Sequence, residues 1–210
     1  MIRTGLMGGS FNPAHGGHRA ISLFALDALG LDELWWMVSP GNPLKEGAKD
    51  MAPLRARLAS AQAMSRRAPI RATAIEAELG TRYTVDTLAA LRRRFTRRRF
   101  IWIMGGDNLA GFHRWHRWRD IAMQMPIAVI ARPGYDRAAH GSPAMSWFGR
   151  FVRPRDQVQN WTDWSTPALV QLRFRPDPRS ATAIRLANPA WHQSCVAAIV
   201  RDDVTRRVLA

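Results

Sequence analysis

The sequence is short of several things, and each shortage removes a class of answer. It has one cysteine, Cys195, in 210 residues, which excludes an internal disulfide framework and a cysteine-based zinc site. Cys195 itself reads as a small buried hydrophobe in the apolar run 195–200. No run of about 18 apolar residues occurs, and no charged-then-apolar segment opens the chain, so neither a membrane span nor a secretory leader is expected and the protein reads as cytoplasmic. Lysine is nearly missing: Lys45 and Lys49 are the only two. Neither follows the glycine-rich turn near the N-terminus as the G-x-x-x-x-G-K-[ST] phosphate loop requires. Acidic residues are outnumbered 31 to 16 by Lys and Arg, for a formal net charge of +15. There is no internal repeat and no linker long enough to separate independent domains. A chain of this length, 47% hydrophobic, is expected to form one domain over residues 1–210 with one substantial core.

What is present is an alternation. Strands are expected over residues 2–7, 33–39, 70–77, 100–104 and 127–131, with a last strand over 168–174. Helices are expected over 17–29, 52–65, 85–95 and 180–186, and a closing helix over 202–208. Between 135 and 164 the period weakens, and the stretch reads as a helix plus irregular connection. Trp147, Trp161 and Trp164 there serve as packing residues or oligomer contacts. Repeated βα units predict an α/β fold, a Rossmann-like doubly wound parallel sheet with a small C-terminal helical part over 179–210. Ligands in such sheets bind outside the carboxyl ends of the strands. His15, Asn42, Lys45, Asp107 and Arg132 all follow a predicted strand.

The stretch Met7–His18, MGGSFNPAHGGH, joins the first strand to the first helix. Gly8 and Gly9 let backbone amides approach a ligand closely, and Gly16 and Gly17 open space where the helix begins. A helix start with unpaired N–H groups is a place for phosphate, and His15 and His18 set two imidazoles beside it. Further along come PGNPLK (40–45), YTVDTL (83–88), MGGDNL (104–109), Trp115, RPGY (132–135) and SATAIR (180–185). Together with the His-x-Gly-His tetrapeptide at 15–18, these stretches resemble, in order, those of the nucleotidyltransferase superfamily, and within it the bacterial nicotinate-mononucleotide adenylyltransferases of NAD biosynthesis.

The resemblance implies transfer of the adenylyl group of ATP to nicotinate mononucleotide, with Mg²⁺ accompanying the ATP and no dedicated metal cage in the protein. It implies that Gly8, Gly9, Ser10, Phe11, His15 and His18 line the ATP phosphates. Ser180, Thr182 and Arg185 form a second phosphate element, and His15, His18 and Arg185 carry the catalysis. Asp107 would contact ribose hydroxyls, or cap a helix, or both. Trp115 would stack on the pyridine ring, with Trp118 as its competitor and His113 and His116 as surface residues. Asn42, Lys45 and Arg132 would surround the mononucleotide's phosphate, and the turn at Thr84 its pyridine carboxylate. Arg179 stands where the family has isoleucine before the serine.

Basicity has two readings. An electropositive cleft would gather ATP and a mononucleotide, both polyanions, and a nucleic-acid binder would also be basic. The densest cluster, Arg92–Arg94 with Arg97–Arg99, sits between a helix and a strand and reads as a solvated helix end with no interleaved aromatic platform, so no specific nucleic acid is expected. Other readings stay open: a pantetheine-phosphate adenylyltransferase, a cytidylyltransferase with a different serine-threonine motif, or a non-enzymatic nucleotide- or nucleic-acid-binding protein. The oligomeric state is open as well.

Overall fold

A computed structural model describes residues 1–41, 51–131, 141–174, 180–195 and 199–209. The apolar run that opens the chain is β1 (Ile2–Gly9). It is followed by α1 (Gly16–Ala28), β2 (Glu33–Val38), α2 (Leu54–Ser65), β3 (Ile70–Thr73), α3 (Ile75–Leu79), α4 (Thr84–Arg94) and β4 (Arg98–Gly105). Then come α5 (Gly106–Gly111), α6 (Trp118–Gln124), β5 (Ile127–Ala131), α7 (Pro143–Phe148), β6 (Leu169–Arg173), α8 (Ala181–Ala187), β7 (Val200–Arg201) and β8 (Val208–Leu209). β1 to β6 form one sheet in the order β3-β2-β1-β4-β5-β6, parallel throughout. This is a Rossmann-like α/β fold.

The centre of the sheet is buried on both faces, so its inner strands read as largely continuous apolar runs. In β2 every residue is buried, yet alternate residues serve opposite cores. Trp35 joins Leu6, Trp102, Leu88 and Phe112 on the α4–α6 side, and Trp36 joins Met7, Ile101, Leu26 and Leu58 on the α1–α2 side. Each indole finds a partner: Trp35 Nε1 donates to Glu33 Oε1 (2.8 Å) and Trp36 Nε1 to Ser22 Oγ (2.8 Å). Strand order reverses between β1 and β4, so the chains leaving those two strands turn to opposite faces and open a crevice at their carboxyl ends.

Three expectations are corrected. The strand expected over 70–77 stops at Thr73, because the Asp202 carboxylate takes the Thr73 hydroxyl (2.9 Å) and the Ala74 N–H (2.7 Å), and α3 begins at once. The tail at 202–208 is no helix. Asp202 Oδ1 accepts from Val204 N and Thr205 N (2.8 and 2.9 Å), folding a tight turn between β7 and β8, which pair antiparallel. Beta structure therefore continues after 168–174, and the helical part of the C-terminus is α8 with a 3-10 turn at Trp191–Cys195. Asp203 then docks this hairpin on the edge of β3, its carboxylate accepting from Ala72 N (2.9 Å). Cys195 is half-buried rather than buried.

The arginine cluster divides. Arg92–Arg94 are the exposed last turn of α4, as a solvated helix end should be. Arg98 instead turns inward, ion-paired to the buried Glu33 and lying over the Trp35 ring at 4.9 Å. Trp161 is a packing residue whose Nε1 donates to Leu29 O (2.9 Å), and Trp147 packs edge-on against Trp118 and Phe148.

Candidate active site

The crevice is built outward from β1. At Gly8 a Cβ would lie 2.8 Å from the buried Trp102 ring, so only glycine lets the strand end pass under that indole. The loop then turns at Phe11, which adopts a φ of +46° while 1% exposed. Its ring stacks on Trp36 (centroids 5.1 Å) and touches His18 (4.9 Å).

His15 and His18 meet with ring centroids 3.9 Å apart. His15 is the N-cap of α1: its Nδ1 accepts from Gly17 N (3.1 Å), and His18 Nδ1 accepts from the His15 N–H (3.2 Å). The pair thus plays the reciprocal part usually taken by serine and glutamate at a helix start. A nitrogen that accepts carries no proton, so each neutral ring holding these bonds has its proton on Nε2 and presents a donor there. Capping and phosphate handling are therefore compatible in one pair of side chains.

The two ends of the chain meet at this loop. Arg185 on α8 donates from Nη1 to the carbonyl of Asn12 (2.7 Å), and Asn12 Oδ1 accepts from Ala52 N (3.2 Å). Ser180 is the N-cap of α8, its hydroxyl accepting from Ala183 N (3.1 Å), and Thr182 is exposed in the first turn.

Across the switch point, α5 opens directly after β4. The cap position belongs to Gly105, without a side-chain cap bond, so Asp107 is a first-turn residue and not the cap. Its exposed carboxylate folds back over Gly105, 2.5 Å from where a Cβ would stand, so a side chain at 105 would make the carboxylate swing aside. Trp115 is half-buried and meets Trp102 edge-on (6.2 Å), the same indole that covers Gly8. Trp118 is buried among Phe112, Trp147 and Phe148 and so belongs to the core. His116 is exposed but is more than a surface residue, since its ring lies 4.3 Å from that of Tyr83, the N-cap of α4. Thr84, the first residue of α4, and the Trp115 loop are thereby held side by side. Asn42, Lys45 and Arg132 lie outside the described residues.

Two residues here escape sequence reasoning. Burial raises the Glu76 carboxyl to about 7, against the opposing effect of bonds from Thr87 and Ser39. Arg57 is 1% exposed beneath the loop. In the sequence both sit among ordinary helical charges, and the only signal for Arg57 is that α2 turns a charged position towards its apolar face.

The cytidylyltransferase-like family model matches residues 6–187. A protein of Erythrobacter litoralis named "Probable nicotinate-nucleotide adenylyltransferase" is 63% identical over 206 residues, covering 98% of this chain and 94% of its own length. One of Parvibaculum lavamentivorans with the same name is 50% identical over 190 residues, covering 88% and 91%. Among solved structures, the nicotinic acid mononucleotide adenylyltransferase of Plasmodium falciparum complexed with NaAD superposes with a TM-score of 0.63 at 12% identity, covering 89% of this chain and 83% of that one. At such identity the superposition speaks for the fold alone.

Proposed function

Because the chain belongs to the nicotinate-nucleotide adenylyltransferases of the cytidylyltransferase-like family, we infer that it joins the adenylyl part of ATP to nicotinate mononucleotide in NAD biosynthesis. The products are nicotinate adenine dinucleotide and pyrophosphate. The observation that carries the site assignment is the bond from Arg185 to Asn12. It sets the Ser-x-Thr-x-x-Arg segment against the histidine loop, so that the two segments we propose for phosphate, from opposite ends of the chain, lie together.

A phosphate oxygen of the mononucleotide attacks the α-phosphorus of ATP, a new P–O bond forms, and the bond to the bridging oxygen of the β-phosphate breaks. The attacking oxygen is already an anion, so the protein has no proton to remove. Its work is positioning and stabilising charge. The Nε2–H donors of His15 and His18, the amides of Gly8 to Phe11, and Ser180, Thr182 and Arg185 suit the triphosphate. Asp107 suits the ribose hydroxyls. Trp115 offers a ring face and the start of α4 at Thr84 a positive helix end for nicotinate. Asn42, Lys45 and Arg132 complete the mononucleotide side of the proposal. Among the described residues no group of three or more His, Cys, Asp or Glu side chains converges. Mg²⁺ enters the proposal as part of the ATP substrate, where it would lower the charge on the phosphates. Among the described residues no helix is long and apolar enough to cross a membrane. The soluble substrates ATP and nicotinate mononucleotide favour a cytoplasmic enzyme.

The test is direct. ATP, Mg²⁺ and nicotinate mononucleotide are mixed with the protein, and pyrophosphate and the dinucleotide are measured in equal amounts. Pyrophosphate release with pantetheine phosphate but not with the mononucleotide would overturn the assignment.

A further inference from the structure

A buried guanidinium lies beneath the loops that leave β1 and β2. The donors of Arg57 go to backbone carbonyls alone: Nε to Ala52 (2.8 Å), Nη1 to Ser10 (2.8 Å) and Ser39 (2.7 Å), and Nη2 to Pro40 (3.4 Å). Among the described residues no carboxylate pairs with it, and burial pulls it down only to about 10, so it stays charged at neutral pH. Carbonyl dipoles satisfy its hydrogen bonds but leave a whole positive charge inside the protein, which is a costly arrangement without a counter-charge.

The bond to Ser10 has a local consequence. A trans peptide is planar, so a Ser10 carbonyl aimed inward at Arg57 sends the N–H of Phe11 out on the opposite side. Phe11 is in the left-handed region, which a residue with a side chain holds only where its surroundings over-determine it. Its ring is fixed by Trp36 and touches His18, and the backbone one residue earlier is fixed by Arg57.

We propose that Arg57 is a positioning residue for adenylyl transfer, its fork holding the Ser10–Phe11 turn in register with the loop leaving β2 and its unmatched charge being answered by the phosphates of ATP. It acts through Ser10, Ser39 and Pro40 and not by touching the reacting atoms. The inference rests on the adenylyl-transfer reading above.

Two substitutions separate fork from charge. Arg57→Lys keeps the charge and loses the planar fork, and Arg57→Gln loses both. For each, kcat and KM are measured with ATP and nicotinate mononucleotide well below the variant's Tm. The Kd of inorganic pyrophosphate is measured by calorimetry, and folding is checked by near-ultraviolet circular dichroism. Arg57→Gln is expected to weaken pyrophosphate at least tenfold and lower kcat on the order of a hundredfold. Arg57→Lys is expected to hold pyrophosphate within threefold of wild type while kcat falls at least tenfold. A kcat within threefold of wild type in Arg57→Lys, or pyrophosphate binding within threefold in folded Arg57→Gln, overturns the proposal. If Arg57→Gln does not fold, Arg57→Lys decides: kcat lost with pyrophosphate binding kept supports the proposal, and both kept or both lost together overturns it. Wild-type turnover is measured first. No dinucleotide from the wild type would overturn the adenylyl-transfer reading, whereas an active wild type with the overturning variant results removes Arg57 alone.

Discussion

Single atoms decide most of what this site can do. His18 uses Nδ1 to hold the His15 N–H, so its two nitrogens can be separated by substitution. Asparagine sets an acceptor near the place of Nδ1 and has nothing at Nε2. His18→Asn should therefore keep the helix start, with stability within about 1 kcal/mol of wild type, yet lower kcat roughly a hundredfold through loss of one donor to the transition state. A variant retaining more than a third of wild-type kcat would remove Nε2 from the mechanism. Glu76 makes the second prediction at this scale. Its carboxyl titrates near 7 in the folded chain against an ordinary value of 4.5, so the folded state binds the proton more tightly than the unfolded one. Stability should then fall as pH rises from about 4.5 to about 7 and be level above that, by at most about 3 kcal/mol. Glu76→Gln copies the protonated form and should flatten that slope. Urea unfolding at pH 5 and pH 8 measures both chains, and an unchanged slope in the variant would assign it to other groups, Asp203 among them, whose carboxyl burial also raises.

Elements show where sequence reading works and where it stops. The βα alternation was legible because the central strands β1, β2, β4 and β5 are largely apolar runs between turn residues, buried on both faces, while the edge strands β3 and β6 admit Arg71, Gln171 and Arg173. The turn from β1 into α1 was legible because Gly8, Gly9, His15 and His18 all fall in the one short stretch Met7–His18. What could not be read depends on partners far along the chain. Ile70–Ala77 has the composition of a strand, yet a carboxylate from Asp202 ends it at Thr73. The tail has helical spacing, yet its N–H groups bond to that same side chain. Arg57 looks like any helical arginine until the carbonyls of Ser10 and Ser39 are brought to it. Asp202 is accordingly the residue on which two elements depend. Asp202→Ala leaves four donors, the Thr73 hydroxyl and three backbone N–H groups, without their acceptor. A loss of roughly 3 to 5 kcal/mol is expected from urea unfolding, and a loss under 1 kcal/mol would show that the hairpin turn holds without it. The start of α4 supplies an element-scale prediction for substrate choice. Its N-terminal amides beside Trp115 favour a carboxylate, and a carboxamide would set its NH₂ against donors. Nicotinate mononucleotide should exceed the nicotinamide form in kcat/KM by at least roughly tenfold, and equal values would move the pyridine away from Thr84.

At the scale of the whole molecule the question is what the +15 charge does. Charge reaches a substrate only through the ionic atmosphere, which screens exposed pairs beyond about 8 Å at physiological salt. Arg92–Arg94 end the eleven-residue helix that Thr84 begins, which sets them roughly 15 Å from the proposed nicotinate subsite at about 1.5 Å per residue. Arg98 is spent on Glu33. The exposed cluster is therefore too distant to assist catalysis at physiological salt, while Arg57 and Arg185 are buried or bonded at the loop itself. This separates two kinds of positive charge by their response to salt. Replacing Arg92 and Arg93 together by glutamine should change kcat/KM for nicotinate mononucleotide less than about twofold at physiological ionic strength, and more at about 0.01 M, where the screening length reaches about 30 Å. If the cluster instead serves nucleic acid, duplex DNA will bind the wild type more tightly than about 10 μM at physiological salt and the double variant will lose that affinity. The solvated helix end predicts binding weaker than that in both proteins, with kcat/KM unmoved. A drop of tenfold or more in kcat/KM at physiological salt would mean that the arginines act on the substrate directly, and that α4 lies with its other end towards the cleft.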